Sequence, residues 1–251
     1  MISFTADQVI LVTGAGSGIG EAIAFELNAL GATVIANGRN REKLEAGKSS
    51  VVYPERFHVE LRDLTADMES LPLWIKSLRE RYGKLSGLAH AAGATLTAPL
   101  REFELPVAHG LFNLLFHAPM LLAKGFADRR NNTGKGAAMV FIGAAGAVVP
   151  VPSLLIYASA KGALLTATRG MSKELAPRGI RVNCVSPGLV KTAMQREYAN
   201  MLGPDAFAEA EQSYPLGLGE PEDIAAAAAY LLSSRAKWIT GQNMLLSGGW
   251  G

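Results

Sequence analysis

Val9-Ile10-Leu11-Val12-Thr13-Gly14-Ala15-Gly16-Ser17-Gly18-Ile19-Gly20 decides the fold. Four apolar residues run into a glycine-rich turn, and Glu21-Ala22-Ile23-Ala24-Phe25-Glu26-Leu27 follows with helical spacing. Glycines at this spacing mean little alone; between a strand and a helix they mark a phosphate-binding loop. Gly14 permits the tight turn, while Gly18 and Gly20 let backbone approach a pyrophosphate and the helix approach the sheet. The helix start offers free N–H groups and a positive dipole end, so Thr13, Gly14, Gly16, Ser17, Gly18, Ile19 and Gly20 form a candidate dinucleotide cradle. Glu21 stands where a P-loop requires lysine, which argues against ATP-type chemistry.

Outward from this loop, short apolar runs alternate with helix-length segments. Strands are expected at 9–12, 33–36, 56–60, 87–91, 138–142, 181–185 and 243–247, and helices at 18–30, 68–82, 107–129, 157–175 and 221–233. Strands this apolar suit a parallel sheet covered on both faces. The pattern predicts an α/β chain: a Rossmann-type doubly wound sheet in a three-layer αβα sandwich, a single domain over 1–251. Arg129–Lys135 reads as a surface loop, and 193–214 as a lid over the substrate.

Composition excludes several classes. Net charge is +2, so no field points to nucleic acid or an anionic membrane. Residues 136–160 carry no charge, but Pro150, Pro152 and glycines interrupt them, so a membrane span is not expected. Residues 1–8 lack the basic start of a secretory leader, and Cys184 is the lone cysteine; a cytoplasmic protein is expected. No metal site is read from the sequence.

The second strand ends in Asn37-Gly38-Arg39-Asn40. A carboxylate here would hold both ribose hydroxyls of NAD, whereas arginine accommodates a 2′-phosphate. Gly38 at the acid position followed by Arg39 favours NADP(H) over NAD(H). Asp63, beside Leu64, either bonds the adenine amino group or caps a turn.

Tyr157-Ala158-Ser159-Ala160-Lys161 completes the pattern. Four residues apart, Tyr157 and Lys161 share a helix face, and a nearby ammonium would lower the tyrosine pKa toward working pH. With Thr13-Gly14-x-x-x-Gly18-x-Gly20, Asp63-Leu64, Ala91-Ala92-Gly93, Arg181-Val182-Asn183 and Pro187-Gly188-Leu189-Val190-Lys191-Thr192 in order, the chain resembles the short-chain dehydrogenase/reductase family, in the branch of β-ketoacyl carrier-protein reductases. The resemblance implies that Tyr157 is the acid/base, that Lys161 bonds the nicotinamide ribose, and that Pro187, Gly188, Val190 and Thr192 border the nicotinamide. Ala91, Ala92 and Gly93 complete the cofactor set, and a homo-oligomer, dimer or tetramer, is implied through the helices around Leu111–Leu122 and Gly162–Met171.

Two departures stand out against that family. Its catalytic serine lies thirteen residues before the tyrosine, where this chain has Ala144, and its helix asparagine aligns with Leu115. Asn113 lies two residues away, on another helix face. His90 replaces the first asparagine of the usual Asn-Asn-Ala-Gly. Ser153 and His117 are candidate substitutes, each with a plainer reading as a loop hydroxyl and a packing histidine. Leu96, Leu154, Leu155, Met194 and Tyr198 would make the substrate pocket apolar. The expected function is carbonyl/alcohol interconversion on a small molecule; the competing readings are a catalytically impaired, cofactor-binding subunit of a hetero-oligomer and an NADP(H)-responsive regulator.

Overall fold

The computed structural model describes residues 1–251, apart from the side chain of Leu202. Its centre is a seven-stranded sheet ordered β3-β2-β1-β4-β5-β6-β7, with every neighbouring pair parallel. The strands are β1 (Val9–Thr13), β2 (Thr33–Gly38), β3 (Phe57–Leu61), β4 (Leu85–His90), β5 (Ala138–Ile142), β6 (Arg181–Pro187) and β7 (Asn243–Leu246).

Strand alternation divides the core. Ile10 and Val12 face one side, packing with Ile23 and Leu27 of α1 (Gly18–Ala29) and Ile224 and Ala228 of α9 (Pro221–Leu232). Val9 and Leu11 face the other, against Leu71 and Ile75 of α3 (Leu71–Tyr82), Leu122 of α5 (Ala118–Ala127) and Leu164 of α6 (Leu155–Leu175). The buried Arg181 donates from both terminal nitrogens to the carbonyls of Leu231, Leu232 and Ser233, closing the C-terminal end of α9. Strand order reverses between β1 and β4, and ligands of such sheets bind beyond the strand ends at that point.

The helix expected over 107–129 is observed as α4 (Leu105–Phe112) and α5, joined by a π turn at Asn113–His117. Pro119 lacks the N–H that would bond the Leu115 carbonyl, so the ladder widens there. By length and composition Leu105–Ala127 could cross a membrane. Its buried positions, Leu111, Leu115, Ala118, Leu122 and Phe126, fall on one face.

The loop expected at 129–135 is corrected in its middle. Asn131 and Asn132 are buried, donating to the Gly125 and Phe126 carbonyls, which fastens the segment to the end of α5. The polar helix α2 (Arg41–Lys48) was not anticipated, having little apolar periodicity. The segment 193–214 folds into α7 (Ala193–Leu202) and α8 (Pro204–Gln212) around Gly203.

Candidate active site

A cleft of about 650 Å³ follows the C-terminal edge of the sheet, from the end of β2 across the glycine loop to α7 and α8. The loop is shaped by contacts that exclude side chains. A Cβ on Gly20 would lie 2.2 Å from the Gly14 carbonyl oxygen, and one on Gly14, at φ +72°, would lie 2.7 Å from Ala92 N. Ser17, at the N-cap of α1, makes no side-chain bond to the helix, so its first N–H groups face the cleft uncapped.

Gly14, Gly16, Ser17, Gly18, Ile19 and Gly20 all line the cleft, as do Ala91, Ala92 and Gly93. Thr13 does not. Its hydroxyl is buried against His90 Nδ1 at 2.9 Å and accepts from Ala92 N at 3.3 Å. Thr13 therefore ties β1 to the end of β4, a positioning role.

At the β2 end, Arg39 is 81% exposed and lies 3.9 Å from the Asp63 carboxylate. Asp63 accepts from both the N–H and the hydroxyl of Thr65, at 2.8 and 2.7 Å, and these bonds hold its pKa below the usual value. It is thus a turn cap that also lines the cleft beside Leu64. Lys43 joins Arg39 there and was missed. Its signal was Asn40, whose side chain accepts from Lys43 N at 2.9 Å and starts α2.

At the other end, α6 brings Tyr157 and Lys161 to the cleft. Lys161 is buried; its Nζ donates to the Ile142 carbonyl at 2.6 Å and lies 6.0 Å from the Tyr157 ring centre. The expected lowering of the tyrosine pKa is corrected: burial pushes the phenol up to about 12. Burial also pushes the Lys161 ammonium down to about 8. Desolvation overrides the attraction between them, because the ammonium is turned to the carbonyl rather than to the phenol oxygen.

Ala144 lines the cleft with extended backbone, and Leu115 is fully buried with its Cδ2 against Gly93. Neither candidate substitute reaches the cleft lining. His117 and Asn113 bond each other at 3.0 Å, and neither lines the cleft. Ser153 holds a left-handed backbone at φ 64°, and its carbonyl accepts from Ala98 N at 2.8 Å; it too is absent from the lining.

Pro187, Gly188, Val190 and Thr192 line the cleft after β6. Thr192 accepts from Gln195 N at 3.2 Å, starting α7. Leu154, Met194 and Tyr198 line the pocket as expected, whereas Leu96 packs in a neighbouring core and Leu155 is exposed. Tyr214 and Trp250, missed in the sequence, stack with centroids 5.7 Å apart at 8°. They come from segments 36 residues apart, between Tyr214 and Trp250, with no local pattern to pair them.

A doubly wound sheet, a glycine cradle at its switch point and a buried Tyr–Lys helix define a dinucleotide-dependent oxidoreductase architecture. The family model described as "Enoyl-(Acyl carrier protein) reductase" matches residues 14–251. The human dehydrogenase/reductase SDR family member 4 is 32% identical over 254 residues, covering 97% of this chain and 87% of that protein. The uncharacterized oxidoreductase YmfI of Bacillus subtilis is 30% identical over 97% of this chain and 99% of its own. A short-chain dehydrogenase from Burkholderia cenocepacia, crystallised with NADP, superposes with a TM-score of 0.88 at 29% identity, covering 97% and 98% of the two chains. The chain belongs to the short-chain dehydrogenase/reductase family and is an oxidoreductase.

Proposed function

We propose that this protein is an NADP(H)-dependent oxidoreductase interconverting a carbonyl and an alcohol on a small or acyl-type substrate, with Tyr157 as acid/base. The observation carrying this reading is that one cleft joins the glycine cradle to Tyr157 and Lys161. The cradle fits a nicotinamide dinucleotide: it excludes a Cβ at Gly14 and Gly20, and the start of α1 offers uncapped N–H groups for the pyrophosphate. Arg39 and Lys43 supply cationic partners for a 2′-phosphate, and Asp63 lies beside them for the adenine end. The crystallised relative with NADP supports the same choice.

When bound, the nicotinamide supplies or accepts the hydride. Tyr157 carries its proton in the reducing direction, since a phenol pushed up to about 12 stays protonated at neutral pH. Lys161 orients the ribose, and Pro187, Gly188, Val190 and Thr192 border the ring. Helices α7 and α8 form the substrate lid over 193–214, with Met194, Gln195 and Tyr198 turned to the cleft and water excluded on closure.

Retention of the buried phenol argues for this reading over an impaired subunit, which has no use for it. We further propose a cytoplasmic homo-oligomer, its contacts made through the apolar helices around α5 and α6. The test is NADPH oxidation with a panel of neutral carbonyl compounds, beside Tyr157→Phe, with cofactor binding measured on both proteins. Turnover lost in the variant while binding survives is expected. Binding without turnover in the parent sinks the enzyme reading.

A further inference from the structure

We infer that the preferred substrate is an uncharged aryl ketone activated by a neighbouring carbonyl, its ring resting on Trp250 and its oxygen taking its hydrogen bond from Tyr157. This rests on the carbonyl-reductase reading above and narrows it.

Three features of the substrate end lead there. The first is charge. Among the described residues lining the cleft beyond the glycine loop, Lys161 is the charged one, and its ammonium is bonded to the Ile142 carbonyl. Nothing there is built to pair a carboxylate or a phosphate. The second is a fixed aromatic wall. Tyr214 is buried, and its hydroxyl accepts from Leu189 N at 3.1 Å. Trp250 lies flat on it, held by Trp250 N donating to the Ser247 carbonyl at 3.0 Å and Ser247 Oγ donating to the Trp250 carbonyl at 2.7 Å. A wall whose geometry is set before binding favours a flat, rigid ring.

The third is the missing donor. Ala144 forms the wall where the family has a serine, and Ser153 lies outside the cleft. Ser186 cannot replace it, because its hydroxyl donates to Asn243 Oδ1 at 2.7 Å. At that wall Tyr157 is left as the donor from α6, with Gln195 and Tyr198 on the lid side of the cleft, and one lost donor typically costs ~10²–10³ in rate. A second carbonyl on the adjacent carbon withdraws electrons and stabilises the growing charge on oxygen. The substrate supplies what the wall does not.

The step balances simply. A C–H bond forms at the carbonyl carbon from the hydride of the reduced nicotinamide, which is left oxidised. The carbonyl π pair moves to oxygen, which takes the Tyr157 proton. The product is an α-hydroxy carbonyl compound, and the phenol regains its proton from solvent.

The experiment compares NADPH-dependent reduction of ethyl benzoylformate with three relatives, each lacking one feature. Ethyl pyruvate lacks the ring, acetophenone lacks the activation, and benzoylformate anion carries a charge. We expect kcat/KM for ethyl benzoylformate to exceed each of them by ~10-fold or more. Trp250→Leu is expected to raise its KM ~10-fold with kcat held, leaving ethyl pyruvate unaffected. Since activated ketones react faster intrinsically, Ala144→Ser is decisive: acetophenone should gain ~10–100-fold and ethyl benzoylformate less than ~3-fold. Thermal unfolding of both variants confirms that they fold. Equal gains for both ketones in Ala144→Ser, an unchanged KM in Trp250→Leu, or preference for the charged or ring-free compound overturns the inference alone. Cofactor binding without reduction of any compound overturns the carbonyl-reductase reading with it.

Discussion

Lys161 and Tyr157 share one face of α6, yet the ammonium bonds the Ile142 carbonyl and sits 6.0 Å from the tyrosine ring centre. The pair is therefore two separately desolvated groups, a phenol at about 12 and an ammonium at about 8. The acid form of Tyr157 persists across the neutral range, and the titrating partner is the lysine.

This fixes a pH profile. Reduction should be level below about pH 8 and fall above it, as Lys161 loses its proton while Tyr157 keeps its own. Lys161→Arg should move the alkaline limb beyond about pH 10, because guanidinium does not titrate there. Tyr157→Phe should lower kcat by at least ~10²–10⁴ with cofactor affinity retained. Rates from about pH 6 to about pH 10 decide the matter, and a parent profile without an alkaline limb in that range would remove Lys161 as its source.

Cofactor choice makes a second test. Arg39 and Lys43 line the cleft at the β2 end, beside Arg62, whose guanidinium donates to the Asp67 carbonyl and Ser70 hydroxyl, and a Cβ on Gly38 meets only the Leu44 side chain, at 3.4–3.6 Å. An acid therefore fits at Gly38 without disturbing the turn. Losing one charge-assisted bond is worth ~1.5–3 kcal/mol, so Arg39→Ala should raise the NADPH KM ~10–100-fold with little change for NADH. Gly38→Asp should weaken NADPH likewise and strengthen NADH. Steady-state kinetics with both cofactors are the readout; equal losses for NADH and NADPH would mean that Arg39 does not read the 2′-phosphate.

These residues also show what the sequence made legible. The glycine loop, Tyr157 and Lys161 could be read because their chemistry is local: a fixed spacing on one loop or one helix. The assignment of the family's serine and asparagine positions to Ala144 and Leu115 rests on counting from Tyr157 and from Pro119. The Tyr214–Trp250 stack was not, since chain geometry alone brings those segments together. The tyrosine pKa was misjudged for a related reason. Spacing gives a shared face, but burial and the competing Ile142 carbonyl set the electrostatics. Asn131 and Asn132 read as surface because polar residues in loops usually are; here their amides satisfy the carbonyls ending α5.

His90 makes a prediction about stability. Its ring is fully buried, Nδ1 meets the Thr13 hydroxyl, and Nε2 has no partner. Burial, aided by the Lys161 charge, pushes its pKa down to about 3 from 6.5. Between those values the unfolded chain binds a proton that the folded chain refuses, so stability falls as pH drops through that window. The slope from this group is about 1.4 kcal/mol per pH unit. His90→Asn should remove that component. Urea unfolding of parent and variant at about pH 7 and about pH 4.5 measures it; an equal acid loss in both would place the sensitivity elsewhere.

Ala144 and Leu115, the two positions read as departures from the family, are not equivalent, and a last variant separates them. Ala144 faces the cleft, so a hydroxyl added there gains access to substrate at little structural cost. Leu115 is fully buried at the π turn, among Ala108, Leu111, Ile156 and Ala160. Leu115→Asn removes buried apolar surface and places an amide beside Ala108, Leu111, Ile156 and Ala160, whose side chains carry no hydrogen-bonding group. The combined cost should be about 3–5 kcal/mol, seen as a Tm lower by roughly 10 °C. No gain in kcat should accompany it, because Leu115 has no solvent exposure and packs in an apolar cluster. Calorimetry and turnover of Leu115→Asn test both halves, and a variant as stable as the parent and faster than it would show that Leu115 displaced a working proton route.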